Sequence, residues 1–166
     1  MTNDLFTELL LITLALMLLA AAVWDLRTRT IPDPLNIAIA LLAPVFWWSA
    51  GIELWPDVAL RIAAALAIFL VFYGLFCLGG MGGGDVKMVG AVALWFGWKT
   101  TITFFVLTTL AGGVVSLATY IHHKSRGSKA PAGAESEERP EVPYGVAIAF
   151  AGLWLLAQRF LNHFAG

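Results

Sequence analysis

Six apolar runs make up most of this 166-residue chain and limit its fold more than any other feature. They cover residues 5–24, 35–50, 58–78, 85–98, 100–121 and 142–161. A helix needs about 20 apolar residues to cross the roughly 30 Å core of a bilayer, with a usual range of about 17–25. The runs at 35–50 and 85–98 are short by this measure, and the other four have the required length. The sequence therefore predicts an all-α, polytopic integral membrane protein with about six transmembrane helices.

Composition supports a lipid bilayer as the surrounding medium. Hydrophobic residues make up 60% of the chain and charged residues only 13%, whereas a soluble domain is about 45–50% apolar and about 25% charged. The net charge of −1 argues against a nucleic-acid partner. A single cysteine, Cys77, allows neither an internal disulfide nor a CxxC zinc pair. We expect no metal and no cofactor.

The chain is predicted to be one domain, 1–166, interrupted by one polar stretch. That stretch is rich in Pro, Gly, Ser and charge, which predicts a mobile cytoplasmic loop at about 122–141. Run 5–24 also resembles a signal peptide, because three alanines at 20–22 resemble a cleavage site. The first four residues carry no positive charge, however, and this argues against cleavage.

The distribution of Lys and Arg predicts the orientation, since cytoplasmic loops carry an excess of these residues. With the N-terminus outside, seven basic residues fall on the inner side, namely Arg27, Arg29, Lys87, Lys124, Arg126, Lys129 and Arg139. Three fall on the outer side, namely Arg61, Lys99 and Arg159. We therefore expect both termini outside. Trp47, Trp48 and Trp55 then lie at the outer interface, where aromatic residues are enriched.

Two carboxylates stand at the edges of predicted spans, where a charged group is costly and is by default a functional candidate. Asp25 ends the first span and Asp85 opens the fourth, so both are expected at similar depth on the cytoplasmic side. Two neighbouring carboxylates can share one proton. One can then act as a base on water while the other polarises a carbonyl. This chemistry hydrolyses a peptide bond.

A glycine-rich segment, 79–84, directly precedes Asp85. Its glycines allow positive φ and leave room for an approaching extended peptide. Glycine-rich loops also bind phosphates, but this one lacks the GxxxxGK[ST] pattern. A further alternative is that the segment is only a connector and that Asp85 caps a helix N-terminus. Paired membrane carboxylates also occur in proton carriers, and a membrane scaffold is a third class of function.

Three motifs in order resemble one family. Residues 82–85 read Gly-Gly-Gly-Asp and continue Val-Lys-Met, which resembles the GxGD motif of intramembrane aspartyl proteases. Residues 25–32 read Asp-Leu-Arg-Thr-Arg-Thr-Ile-Pro and are similar to the first-aspartate segment of the type IV prepilin peptidase family. Residues 142–148 read Val-Pro-Tyr-Gly-Val-Ala-Ile and resemble its P-[YF]-G motif. The last two motifs favour this family over presenilin-like or signal-peptide-peptidase-like enzymes.

The resemblance implies a membrane-embedded aspartyl endopeptidase of the bacterial inner membrane that acts in type IV pilus biogenesis. Asp25 and Asp85 would be the catalytic pair, and the substrates would be prepilin or pseudopilin precursors, cut at the cytoplasmic face behind a basic leader. Further residues implied in binding substrate or shaping the site are Gly82, Gly84, Lys87, Pro143, Tyr144 and Gly145.

Two departures from the family pattern stand out. Asp33 occupies a position where the family commonly has Asn, and we expect it to be a solvated turn residue. The loop after the first span is short and has no cysteine, whereas larger members carry an extra cytoplasmic segment, often with paired CxxC motifs. The chain resembles the short form of Tad/Flp-type pilus systems, and we expect no N-methyltransferase activity.

Overall fold

The apolar runs form helices, as expected. The computed structural model describes residues 4–125 and 142–165, and these contain no β-strand. The helices are α1 (Asp4–Thr28), α2 (Asp33–Ser49), α3 (Ala59–Cys77), α4 (Gly83–Ala93), α5 (Trp98–Ser125) and α6 (Tyr144–Ala165). One wider turn at Leu54–Val58, interrupted by an extended Trp55 (φ −133°, ψ 129°), leads into α3. The predicted all-α class is confirmed.

The connection between α1 and α2 is only four residues long, and it begins four residues after Asp25. Helix α1 continues past the apolar run to Thr28, which places Asp25 inside its last turn. Arg29 then adopts a left-handed conformation (φ 55°), and its N–H donates a hydrogen bond to the carbonyl of Asp25 at 2.9 Å. This is a common way to end a helix. Pro32 is extended, and α2 begins at Asp33.

Helix α4 is the central helix of the bundle. It packs against α2, α3 and α6, and seven of its eleven residues are buried. Two indole N–H groups hold its C-terminal end to α2: Trp95 donates to the carbonyl of Ile39 at 2.9 Å, and Trp47 donates to that of Leu94 at 3.0 Å. Trp47 is thus half-buried and bonded within the protein, while Trp48 and Trp55 are exposed, as expected for an interfacial pair.

The other helices turn apolar side chains outward. Leu9, Leu16 and Leu19 on α1 and Leu66 and Leu70 on α3 are all about half exposed or more, which fits contact with lipid tails. In the described part of the chain, four helical segments are long and apolar enough to cross a membrane: Leu5–Thr28, Leu54–Cys77, Trp98–Ile121 and Tyr144–Asn162. The chain is a multi-pass membrane protein.

The two short runs of the sequence form the two shortest helices. Helix α2 has 17 residues and α4 has 11. At about 1.5 Å per residue, α4 is only about 16 Å long, so it does not cross the apolar core by itself. The described residues form six α-helices, and the number of about six transmembrane helices stays a prediction. Most of the expected loop at 122–141 lies outside the described residues, and the single-domain assignment also stays a prediction.

Candidate active site

Asp25 lies buried against the start of the last helix. Its side chain is only 2% exposed, and the backbone N–H of Val146 donates to its Oδ2 at 3.2 Å. The N–H of Gly145 also interacts with this carboxylate. The first N–H groups of a helix have no partner within the helix, and anions are stabilised there. The first turn of α6 is therefore built to hold the negative charge of Asp25.

Asp85 is the third residue of α4 and is 8% exposed. Its carboxylate interacts with the N–H of Gly82, which precedes the helix. This is the backward contact that an acidic residue makes in a capping box. The alternative derived from the sequence, that Asp85 caps a helix, therefore describes one of its contacts. It does not account for the others.

The two aspartates come together, although 60 positions separate them in the sequence. The charge of Asp25 acts on Asp85, and the N–H of Gly145 interacts with both carboxylates. The last turn of α1, the first turn of α4 and the first turn of α6 thus meet at one end of the bundle, which we call the aspartate end. The expectation that Asp25 and Asp85 lie close together agrees with this geometry.

Glycines allow this close approach. A Cβ atom at Gly145 would lie 2.8 Å from Oδ2 of Asp25 and 2.8 Å from Cδ1 of Ile31. A Cβ atom at Gly82 would lie 2.9 Å from Oδ2 of Asp85, and one at Gly84 would lie 3.3 Å from the carbonyl oxygen of Ile31. Ile31, itself buried, packs between Gly84 and Gly145. The three segments that the motifs indicated are therefore in direct contact.

Asn36 supports the site, and sequence reasoning missed it. It is 4% exposed, and its Nδ2 donates to the carbonyl of Gly84 at 3.1 Å, so it connects the first turn of α2 to the first turn of α4. Its Oδ1 has no partner among the described residues. The available signal was an amide side chain at the start of an otherwise apolar run.

Lys87 lies at the rim of the site and is paired. Its Nζ donates to both carboxylate oxygens of Asp33, at 2.7 and 2.8 Å. Both side chains are more than half exposed, as expected for Asp33. Exposed ion pairs contribute about 0–1 kcal/mol to stability, so this pair contributes little to holding α4 against α2.

The predicted P-[YF]-G residues pack the start of α6 against both α1 and α5. Gly145 faces Asp25, as described above, and Pro143 is buried. Tyr144 points toward α5, where its hydroxyl accepts a hydrogen bond from Ser116 at 3.1 Å and its ring lies against Gly112, whose Cβ would be 3.2 Å away. Tyr144 therefore fixes the start of α6 and leaves contact with the carboxylates to its neighbours.

The arrangement supports acid–base chemistry. Two buried carboxyl groups that feel each other's charge are most easily accommodated when they share one proton. The pair then holds a base and an acid side by side. Among the described residues, no three His, Cys, Asp or Glu side chains come close enough together to hold a metal ion.

Comparisons with known proteins point to one family. The model of the type IV leader peptidase family matches residues 12–117, which include both aspartates. Three similar proteins are each named prepilin leader peptidase/N-methyltransferase. The one from Burkholderia pseudomallei (strain 1026b) is 27% identical over 110 residues, covering 60% of this chain and 34% of the relative. The one from Escherichia coli (strain K12) is 31% identical over 98 residues, covering 57% and 44%. The one from Aeromonas hydrophila is 25% identical over 145 residues, covering 83% and 45%.

The chain thus spans less than half the length of these relatives. No solved structure matches it. The family match covers more than half of the chain. This protein belongs to the type IV leader peptidase family.

Proposed function

We propose that this protein is an aspartyl endopeptidase that removes the basic leader from type IV prepilin-like precursors of the Flp/Tad kind. The observation that carries the proposal is the contact of the Gly145 N–H with both buried carboxylates. The family match and the names of the relatives support the substrate class.

The proposed reaction uses the aspartates as one unit that shares a proton. The ionised carboxylate takes a proton from a water molecule, whose oxygen attacks the scissile carbonyl carbon. The protonated carboxyl group donates a hydrogen bond to the carbonyl oxygen and then its proton. Collapse of the tetrahedral intermediate breaks the C–N bond: a hydroxyl group of the intermediate returns its proton to the ionised carboxylate, and the leaving amine takes a proton from the other carboxyl group. The pair then again shares one proton. General acid–base groups of this kind contribute about 10²–10⁴-fold to rate.

We further propose that the aspartate end faces the cytoplasm of a bacterial cell from the inner membrane. Six basic residues of the predicted inner loops support this orientation. Arg27 and Arg29 lie at the end of α1, and Lys124, Arg126, Lys129 and Arg139 lie in the sequence at or after the end of α5 and before α6. Lys87 lies in the first turns of α4, at the same end. A basic leader on the cytoplasmic side of a precursor would therefore arrive at the side that holds the carboxylates.

The experiment is co-expression with candidate precursors, read by a gel shift and by sequencing the new N-terminus. Asp25→Asn and Asp85→Asn are nearly isosteric, so we expect each variant to insert and fold but to lose cleavage. Groups that act as a unit are not additive. The double variant should therefore be about as inactive as either single variant.

Two further aspartates are controls. Asp33 is exposed and paired with Lys87, and Asp57 lies in the wider turn at the other end of the bundle. Asp33→Asn and Asp57→Asn should keep most of the activity. An inactive Asp33→Asn together with an active Asp25→Asn would contradict the proposed pair.

Methyl transfer is not part of the proposal. The relatives' name includes N-methyltransferase, but the connection between α1 and α2 in this chain has only four residues and no cysteine. For this chain we propose peptide-bond cleavage alone, and we expect mass spectrometry to find the trimmed product with an unmodified N-terminus.

A further inference from the structure

A cavity of about 430 Å³ opens at the end of the bundle opposite the aspartates. Its polar lining consists of Arg61, Arg159, Gln158, Asn162 and Thr100. Apolar side chains of α1, α6 and the bend after α4 form the remaining wall, among them Leu11, Trp95 and Leu155. We call it the arginine cavity.

The arginine cavity is separate from the candidate active site. Along α1, Leu11 lies 14 residues from Asp25, and along α6, Arg159 lies 14 residues from Gly145. At about 1.5 Å per residue both spacings correspond to about 21 Å. No residue that lines the cavity contacts either aspartate, so the acid–base chemistry proposed above gives these arginines no role.

Arg61 is fixed in the wall of the cavity by one of its donors. It is partly buried, and its Nη1 donates to the carbonyl of Trp95 at 3.0 Å, at the end of α4. Its Nη2 lies near Gly97, whose Cβ would be 3.7 Å away. A guanidinium has five N–H donors. The bond to Trp95 orients the group and leaves further donors for a ligand in the cavity.

Arg159 lies over an aromatic ring. Its guanidinium lies 5.5 Å from the centre of the Phe46 ring, a fully buried aromatic. A guanidinium in this position is attracted to the face of the ring. The N–H groups of the guanidinium lie in the plane of that group, and two of them can donate side by side to one anion.

Among the described residues, neither guanidinium forms an ion pair with a carboxylate. The two guanidiniums are close enough for their charges to repel. Asp57 lies beyond ion-pair distance, and its attraction for Arg61 is stronger than the repulsion from Arg159, whereas no carboxylate among the described residues acts on Arg159 in this way. Two like charges at the edge of a membrane protein are costly, and an oxyanion bound between them would remove that cost.

The helix positions place this cavity at the level of lipid headgroups. Arg61 is near the start of α3, and Arg159 is near the end of α6. Trp48, Trp55 and Trp98, all exposed, lie at the same end of the bundle. Exposed tryptophans are enriched where a bilayer meets water.

We propose that the arginine cavity binds a phosphate oxyanion, held by the guanidiniums of Arg61 and Arg159 with Gln158 and Asn162 beside them. The same chemistry fits the phosphodiester of an anionic lipid and free inorganic phosphate.

The test is thermal unfolding of the full chain in neutral detergent, followed by tryptophan fluorescence. The probes are phosphatidylglycerol, phosphatidylcholine, and inorganic phosphate compared with chloride at equal ionic strength. A ligand that binds only the folded state raises the apparent Tm, and we expect a rise on the order of 5 °C at saturation. Phosphatidylcholine should raise it far less, because its choline cancels the headgroup charge. A rise with inorganic phosphate alone assigns the site to the free ion.

The variants Arg61→Gln and Arg159→Gln should each weaken binding about tenfold or more, since hydrogen bonds to charged groups contribute about 1.5–3 kcal/mol. Lys99→Gln is the matched control, because Lys99 is an exposed cation at the same end, stacked on Trp98 outside the cavity. It should keep the full response.

Absence of any rise with phosphatidylglycerol or phosphate in the wild type would overturn the proposal. An equal rise in Arg159→Gln would overturn it as well. If a variant does not fold, native mass spectrometry of the wild type decides. Retention of phosphatidylglycerol over phosphatidylcholine, or retention of inorganic phosphate, supports the site. Equal retention of the two lipids together with no retention of phosphate refutes it. None of these readouts depends on peptidase activity.

Discussion

Gly145 illustrates how closely the site is built at the scale of single residues. Its N–H interacts with both carboxylates, and its Cα stands where any side chain would meet Asp25 and Ile31. The glycine of the P-[YF]-G motif is therefore required for a close approach between two helices. Its φ does not lie in the left-handed region, so backbone freedom is not the reason.

Gly145→Ala should strongly reduce cleavage. The new Cβ would lie 2.8 Å from Oδ2 of Asp25, so that either the carboxylate or α6 must shift. Overpacking of this kind costs about 1–3 kcal/mol, and a displacement of about 1 Å in a catalytic group can cost about 100-fold in rate. Purified enzyme and a precursor peptide give kcat and KM, and thermal unfolding gives the stability.

Gly113→Ala is the matched control, because Gly113 lies in α5 with nothing within 4 Å of a Cβ at that position. Alanine favours a helix by about 0.8–1.0 kcal/mol over glycine, so this variant should be as stable as the wild type or more so, with unchanged activity. If Gly145→Ala behaved in the same way, the close packing described here would not be needed for function.

At this scale the sequence predicted the two aspartates and the glycines but not their partners. Asp25 and Asp85 stood out because carboxylates are rare at the edges of apolar runs. The contact between Asp25 and Val146 bridges 121 residues, and no local pattern records it. We expect Lys87 to border the site, and it lies at the rim, where its side chain pairs with Asp33. That pairing requires the register between α2 and α4, which only the packed structure defines.

Helix α4 is the element on which the site depends most. Its N-terminal turn carries Asp85, and its C-terminal end is bonded to α2 through Trp95 and Trp47. At the aspartate end, Asn36 of α2 makes the corresponding hydrogen bond, which it donates to the carbonyl of Gly84. The helix is thus attached to α2 at both ends, which makes α2 the frame that positions Asp85.

Asn36→Ala should lower both stability and kcat. Loss of the bond to Gly84 weakens the attachment of the turn that carries Asp85, and losing a buried hydrogen bond costs about 1–3 kcal/mol. We expect kcat to fall while KM for a precursor peptide changes little, because the carboxylate moves and the peptide-binding surface remains. The assay must be run at a temperature where the variant is fully folded.

Thr109→Ala is a control of the same kind on α5. Thr109 makes an exposed side-chain hydrogen bond to the carbonyl of Phe105 at 2.8 Å, and its loss should change stability by no more than about 0.5 kcal/mol. An unchanged kcat in Asn36→Ala would mean that α4 keeps its position without this bond.

The helix boundaries show what hydropathy can and cannot predict. The runs 35–50 and 58–78 match α2 and α3 to within two residues at either end. Helix α1 continues four residues past its apolar run, because helical hydrogen bonding does not stop where side chains become polar. The run 85–98 combined α4 with the bend at 94–97. Both α4 and this bend consist mainly of buried apolar residues, so hydropathy alone does not separate them.

For the whole molecule, the arrangement predicts a definite orientation. The last turn of α1 and the first turns of α4 and α6 meet at the aspartate end, so the connections after α1, before α4 and before α6 open on the same side. Reporter fusions after Arg29 and within residues 128–138 should both read cytoplasmic, and a fusion after Gly51 should read periplasmic. A periplasmic result at either of the first two positions would contradict the orientation proposed for the carboxylates.

The contact between Asp25 and Val146 also sets an order in time. Synthesis runs from the N-terminus, so Asp25 enters the membrane first, Asp85 follows, and the N–H groups of α6 come last. A chain whose translation stops before residue 143 holds both carboxylates without the amides that contact them. On the proposed function, a nascent or truncated chain without α6 is therefore inert, and the capacity to cut other proteins arises only after α6 has been made and has packed against Asp25.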